Sequence, residues 1–472
     1  MASTNSTNHA RVNDDTSIPM GEDSPLLFSP SRRESLITAV VEEEVPIGNA
    51  SVFATMVNMA KACMGPGCLV LPFAARQGGL WLHTVGLLAI AVWNIYIVRR
   101  LCQCLDYLPA TVRAPTVTTP NPTRKLRRDT HNNNKPPPPE GTAMFGQVVW
   151  YALGKKGLFA LDLLMLLFLL GILIAYINAM RSFLRDTPLS TQSPLLDALL
   201  LVAIMGPLSS VPHMGYLSKA SALGLVVLAA TFVVIGIYGV QQQQQQSTPL
   251  HGTPQEGLWG ISQWFGSVVF SFGVAPLTYN FRSSMADPTQ MVTATTVSLM
   301  SVALAYMGIG IFFWALFPTL QGDLLQALPT NQGFVWPSLT RLAMVLVGLT
   351  TVPLLVVPCG ELLEGKLIMA PRSNNNNHHH KRRILVRCGI CLFAVGVSLY
   401  VPGFVDVLSF VGCCCVACLG FCIPPLLHLL LGYRSQPTHS MILDAVMLVW
   451  GIFATVVSTT YTFRQISTAA GN

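Results

Sequence analysis

Charge is what this sequence has least of. Asp, Glu, Lys and Arg make up 10% of its 472 residues, against roughly 25% in a soluble domain. Repeated apolar runs long enough to cross a bilayer exclude a water-soluble globular class and place the chain among polytopic membrane proteins. A signal peptide is also missing: the first residues lack the basic n-region, apolar core and cleavage site. Residues 1–48 are polar, with Pro, Ser and Glu, and are expected to form a disordered cytosolic tail. No cluster of His, Asp and Glu sits at a membrane face, which argues against an embedded enzyme. No span carries the repeated charge that lines a channel. The net charge of +7 comes from short loops rather than one patch, so nucleic acid is not an expected partner. Twelve cysteines are present, but most, including Cys413, Cys414, Cys415, Cys418 and Cys422, lie inside apolar runs. They read as small polarizable packing residues rather than as disulfides or metal ligands.

Eleven spans are legible, at about 50–75, 80–102, 157–180, 194–213, 218–240, 260–281, 291–317, 338–359, 383–401, 404–431 and 441–463. Low-complexity stretches fall between them, within loops 103–143, 241–257 and 366–383; His378, His379 and His380 belong to the last and read as solvated loop. Placing the N-terminus in the cytosol puts most Lys and Arg on that side and leaves Arg76, Arg181, Arg185, Arg341 and Arg464 opposite, which is the expected bias. An odd number of spans then leaves residues 464–472 as a short non-cytosolic tail. The sequons at Asn5 and Asn49 become cytosolic, and neither is expected to carry glycan.

Two spans are interrupted. Met64-Gly65-Pro66-Gly67 falls at the centre of the first, and Phe272-Gly273-Val274-Ala275-Pro276 within the sixth. Pro lacks an amide donor and Gly disfavours helix. Unwound backbone at membrane depth is tolerated only where it lines a cavity. Breaks at corresponding places in two halves point to a secondary transporter whose site lies between them. A broken helix leaves amides that suit a carboxylate and carbonyls that suit an ammonium. Met64, Gly65, Pro66, Gly67, Phe272 and Gly273 are therefore the candidate substrate contacts, with an amino acid zwitterion as ligand.

The run Asn58 to Ala74, with Lys61, Gly65-Pro66-Gly67, Leu69 and Pro72, followed by Gly78-Gly79, resembles the first-helix signature of the amino acid/auxin permease family. Ser283-Ser284-Met285-Ala286-Asp287-Pro288 is similar to the turn after its sixth span. Tyr400 to Gly412, ending at Pro424-Pro425, is similar to its ninth-to-tenth segment. The resemblance, to the proton-coupled and vacuolar-type branch, implies an all-α polytopic fold. Its core would be a LeuT-like five-plus-five inverted repeat with one accessory helix. It also implies amino acid substrates, alternating access around spans one and six, and coupling to H⁺ or Na⁺ without an organic cofactor. One departure touches substrate preference and coupling: Pro276-Leu277-Thr278 stands where many proton-coupled members have Pro-Leu-Glu.

Lys61 is the most informative charge, because an ammonium inside a span must face a cavity or a partner. Near the place where sodium-coupled relatives bind their ion, it would replace Na⁺ and favour proton coupling; alternatively it snorkels to the cytosolic face. Glu361 and Glu364 end the eighth span and either pair with Lys61, titrate during the cycle, or stay solvated. Thr350 and Thr351 either line the ion region or bond their own helix. In the tail, Glu22, Leu26 and Leu27 form an acidic-dileucine pattern read by sorting adaptors. It favours a vacuolar or lysosomal membrane, with the plasma membrane as alternative. Arg32-Arg33-Glu34-Ser35 looks like a kinase site. Two other functions stay open: an amino acid sensor signalling through the tail, and a Na⁺-coupled symporter.

Overall fold

Ser51, the last residue of the Asn49 sequon, starts the helical bundle: its Oγ accepts from the Ala54 amide at 3.1 Å and caps α1, Val52–Cys63. The computed structural model describes residues 48–108, 137–139, 142–209, 214–242, 251–254, 257–330, 335–366, 376–401, 403–433 and 436–471. After α1 come a 3-10 turn (Pro66–Val70), α2 (Leu71–Trp81), a π turn (Leu82–Gly86) and α3 (Leu87–Asp106). Next are α4 (Met144–Arg185), α5 (Pro194–Ser209) and α6 (Met214–Gln242). The second half runs through α7 (Leu258–Ser271), α8 (Thr278–Ser284), α9 (Met291–Leu316), α10 (Val335–Lys366) and α11 (Asn376–Tyr400). It ends with α12 (Phe404–Val411), α13 (Ile423–Gly432) and α14 (Thr438–Gly471).

Among the described residues, nine helical segments are long and apolar enough to cross a membrane, and Val52–Cys63 and Pro194–Ser209 are shorter apolar helices. The sequence expectation of eleven differs partly because Pro66–Asp106 counts as one segment of 41 residues. That segment is interrupted at Gly79, whose φ of +73° suits glycine. A Cβ there would stand 2.5 Å from the Thr253 backbone, while the amides of Leu80 and Trp81 donate to the His251 and Gly252 carbonyls. Other boundaries also move. The third span begins at Met144, with Gly154 (φ +70°) separating its first turns from the rest. The ninth begins at Asn376, inside the expected loop, and the last helix continues through the expected tail to Gly471. Large apolar side chains such as Phe159, Val226, Val449 and Phe453 are exposed on the bundle's outside, the inverse of a soluble protein and the mark of a lipid-facing belt.

Four hydrogen bonds, in two ties, organise one end of the bundle. The Ala50 amide donates to the Ser284 carbonyl at 3.0 Å, and the Ala286 amide donates to the Ala50 carbonyl at 3.0 Å, tying the start of α1 to the end of α8. Tyr279 Oη donates to the Leu101 carbonyl at 2.9 Å and Arg282 to the Cys102 carbonyl at 3.2 Å, tying α8 to α3. Nearby, fully buried Asp444 of α14 pairs with Arg100 Nε of α3 at 3.0 Å, lies 2.6 Å from His428 Nδ1 of α13, and accepts from the Tyr96 hydroxyl. A buried charge stripped of its partner costs about 3–5 kcal/mol. Asp444→Asn is therefore expected to lower the thermal unfolding midpoint of the purified protein clearly, read by the loss of monodisperse protein on heating.

Candidate functional site

Both predicted breaks are present in the backbone. α1 stops at Cys63; Met64 has φ −77°, ψ 70°, Gly65 is extended at φ −104°, ψ −170°, and Pro66 opens the 3-10 turn. α7 stops at Ser271; Phe272 has φ −102°, ψ 20°, and the chain turns through a 3-10 turn, Ala275–Leu277, before α8. Met64, Gly65, Pro66, Gly273 and Pro276 are half-buried, whereas Gly67 and Phe272 are buried.

The carbonyl ends of the two half-helices converge on one side chain of α9. Tyr306 Oη donates to the Cys63 carbonyl at 2.6 Å and lies 3.3 Å from the Ser271 carbonyl. The tyrosine is fully buried, with its ring edge-to-face with Phe272 at 5.3 Å, and Cys68 Sγ stands 3.9 Å from its hydroxyl. Each helix C-terminus carries about half a negative charge. A single hydroxyl proton serves the shorter bond fully and the longer one poorly. The junction is thus electronegative and suits an ammonium. α9 also supplies Ser298, which donates to the Met56 carbonyl of α1 at 3.0 Å. On the other side of the first break, a Cβ at Gly65 would meet only the Tyr176 hydroxyl, at 3.7 Å.

The other expected residues lie as follows. Lys61 occupies the last turn of α1, half-buried, where helix-end carbonyls favour a cation. No ion pair joins it to Glu361 or Glu364 among the described residues. Glu361 is exposed, and Glu364 instead reaches Arg383 Nε of the next helix at 3.7 Å. Thr350 and Thr351 both donate to the Val347 carbonyl within α10, at 2.9 and 2.8 Å. Glu22, Leu26, Leu27 and the Arg32–Ser35 pattern lie outside the described residues.

Sequence reading missed Tyr306, because nothing in an apolar span marks one tyrosine among several. It also missed groups its own rule for charges inside spans would have found. His83, fully buried in the π turn, accepts from Trp264 Nε1 through Nδ1 at 3.3 Å, and its Nε2 faces Gly310, where a Cβ would come within 2.2 Å. His428, inside the expected tenth span, was legible by the same argument.

Two interrupted helices held by a tyrosine, inside a bundle of lipid-facing helices, define a polytopic membrane protein with a paired-break site. Residues 48–119 and 132–464 match the family described as transmembrane amino acid transporter protein. The chain belongs to that family and is a transporter rather than an enzyme. It is similar to the amino acid transporter AVT3B of Arabidopsis thaliana, 23% identical over 435 residues that cover 88% of this chain and 94% of that one. It is similar also to the Arabidopsis amino acid transporters ANT1, 23% identical over 90% of this chain and 95% of that one, and AVT1B, 23% identical over 90% and 73%.

Proposed function

We propose that the chain carries an amino acid across a membrane by alternating access around the breaks at Met64–Gly67 and Phe272–Gly273, driven by protons. The observation that carries the reading is the meeting of both carbonyl ends, at Cys63 and Ser271, on the Tyr306 hydroxyl. An ammonium placed there faces two helix C-termini at once. The carboxylate then turns toward the first break, where Gly65 leaves room for it. Membership of the family and its Arabidopsis relatives, named as amino acid transporters, support the substrate class.

The same reading takes eleven spans arranged as five plus five and one accessory helix. Pro66–Asp106 at 41 residues is about twice what one crossing needs, and Gly79 divides it. The breaks then fall in spans one and six, as an inverted repeat requires. The ties of α1 to α8 and of α8 to α3 close the face that the Lys and Arg bias assigns to the cytosol. Lys61, as a fixed cation beside the first break, supports H⁺ over Na⁺ as the driving ion, with Thr350, Thr351 and Glu361 on the eighth span as further candidates. The acidic-dileucine pattern favours a vacuolar or lysosomal membrane.

Uptake of a panel of labelled amino acids into proteoliposomes tests the reading. Accumulation should follow an imposed proton gradient and persist when Na⁺ is replaced by N-methylglucamine. Failure of every amino acid to exceed empty liposomes would overturn the transport reading; strict dependence on Na⁺ would overturn the coupling.

A further inference from the structure

A cavity of about 690 Å³ lies at the end of the bundle where α4 ends and α7 and α12 begin. Three of the five basic residues assigned to the non-cytosolic side, Arg76, Arg181 and Arg185, line it, opposite Asp197, Asp323 and Asp406. Lys and Arg are depleted on that side of membrane proteins, so three guanidiniums gathered in one hollow need a local reason. Structural pairing explains part of it. Arg76 donates to the Leu320 carbonyl at 2.5 Å, and Arg181 to the Ser398 carbonyl at 2.7 Å. Asp197 is taken up by Ser190 and Thr191, and Asp323 by the Leu325 amide and Gln326. Burial pushes the Asp323 carboxyl up to about 6.

What pairing leaves over is complementary to a zwitterion. Gln77 and Gln263 are 5% and 2% exposed and line the cavity, and the Oε1 atom of each has no hydrogen-bond partner among the described residues. Gln263 Nε2 and Gln465 Nε2 both donate to Asp406 Oδ1, at 3.1 and 3.3 Å, and no basic side chain pairs with this carboxylate among the described residues. Arg181 Nε likewise has no partner among the described residues. Buried acceptors left unmet favour a donor that can reach them, and an ammonium would satisfy Gln77, Gln263 and Asp406 together while its carboxylate takes Arg181. Counting along the helices at 1.5 Å per residue, Gln77 lies roughly 15 Å beyond Gly67 and Gln263 roughly 13 Å before Phe272. One amino acid cannot span both places.

We infer that this cavity is a second amino acid site, which holds a zwitterion between Arg181 and the Gln77–Gln263–Asp406 group before it reaches the breaks. The inference rests on the substrate class proposed above. Its test uses the reconstituted full chain carrying Ser182→Cys, a half-buried position on the cavity wall. A membrane-impermeant maleimide labels it, against the unsubstituted chain as background, with an equimolar mixture of the twenty common L-amino acids as protecting probe. The mixture should slow labelling severalfold, and equally so when Gly65→Ala blocks the break. Gln263→Leu and Asp406→Asn should each remove the protection. Protection lost with Gly65→Ala, protection surviving both outer substitutions, or no protection in a chain that transports would each overturn the outer site. Protection without any uptake supports the outer site and overturns only the transport reading.

Discussion

Tyr306→Phe is expected to lower the initial rate of amino acid uptake by about tenfold or more, with a raised KM. The hydroxyl is the shared partner of the Cys63 and Ser271 carbonyls, 2.6 and 3.3 Å away. Removing it leaves the better-bonded carbonyl unmatched in a buried place, at a cost of about 1–3 kcal/mol. It also frees the ends of α1 and α7 to part, so the ammonium acceptor loses its geometry. Phe keeps the ring against Phe272, and the packing there is preserved. A purely structural role would lower the thermal midpoint and leave KM unchanged in the protein that stays folded. Uptake with the wild-type rate and KM would remove Tyr306 from the site.

Gly65→Ala is expected to cut uptake by at least tenfold without loss of stability. Its φ of −104° is ordinary for any L-residue, and the new methyl would meet nothing of the protein closer than the Tyr176 hydroxyl at 3.7 Å. Alanine also favours helix over glycine by about 1 kcal/mol, which biases the break toward rewinding. Both effects act on ligand room and on the unwound backbone. The thermal midpoint should be unchanged or slightly raised, while labelled uptake collapses. Gly79→Ala makes the contrast: with φ at +73° and a Cβ 2.5 Å from the Thr253 backbone, it should fail by instability. Normal uptake by Gly65→Ala would place the ligand away from the first break.

The breaks were legible because their cause is local. Pro66 and Pro276 lack amide donors, and their neighbouring glycines carry the unwinding, so the sequence located both to within a residue or two. Gly79 entered the sequence reading only as part of the family signature, and its positive φ is a finding of the structure. Tyr306 was not, since its importance comes from what it faces: two chain segments 243 and 35 residues away in sequence. The acids after the eighth span illustrate the same limit. Glu364 was a candidate partner for Lys61, yet the following helix brings Arg383 nearer. Helix ends proved the weakest part of the reading. Polar residues without a Gly or Pro stop, such as those after Thr462, let the last helix continue to Gly471. Asp444 was overlooked for a different reason. It lies four residues into the expected eleventh span, where an acid reads as interfacial, but Arg100, His428 and Tyr96 bury it from three directions.

The paired backbone bonds between Ala50 and the Ser284–Ala286 turn carry a mechanical consequence. The segment entering the first span and the one leaving the sixth are clasped edge to edge, with only Ser51 between the clasp and the first turn of α1. A pull at residue 48 is therefore delivered to α8 with almost no slack, and the inner halves of both broken helices must swing as a pair or unclasp first.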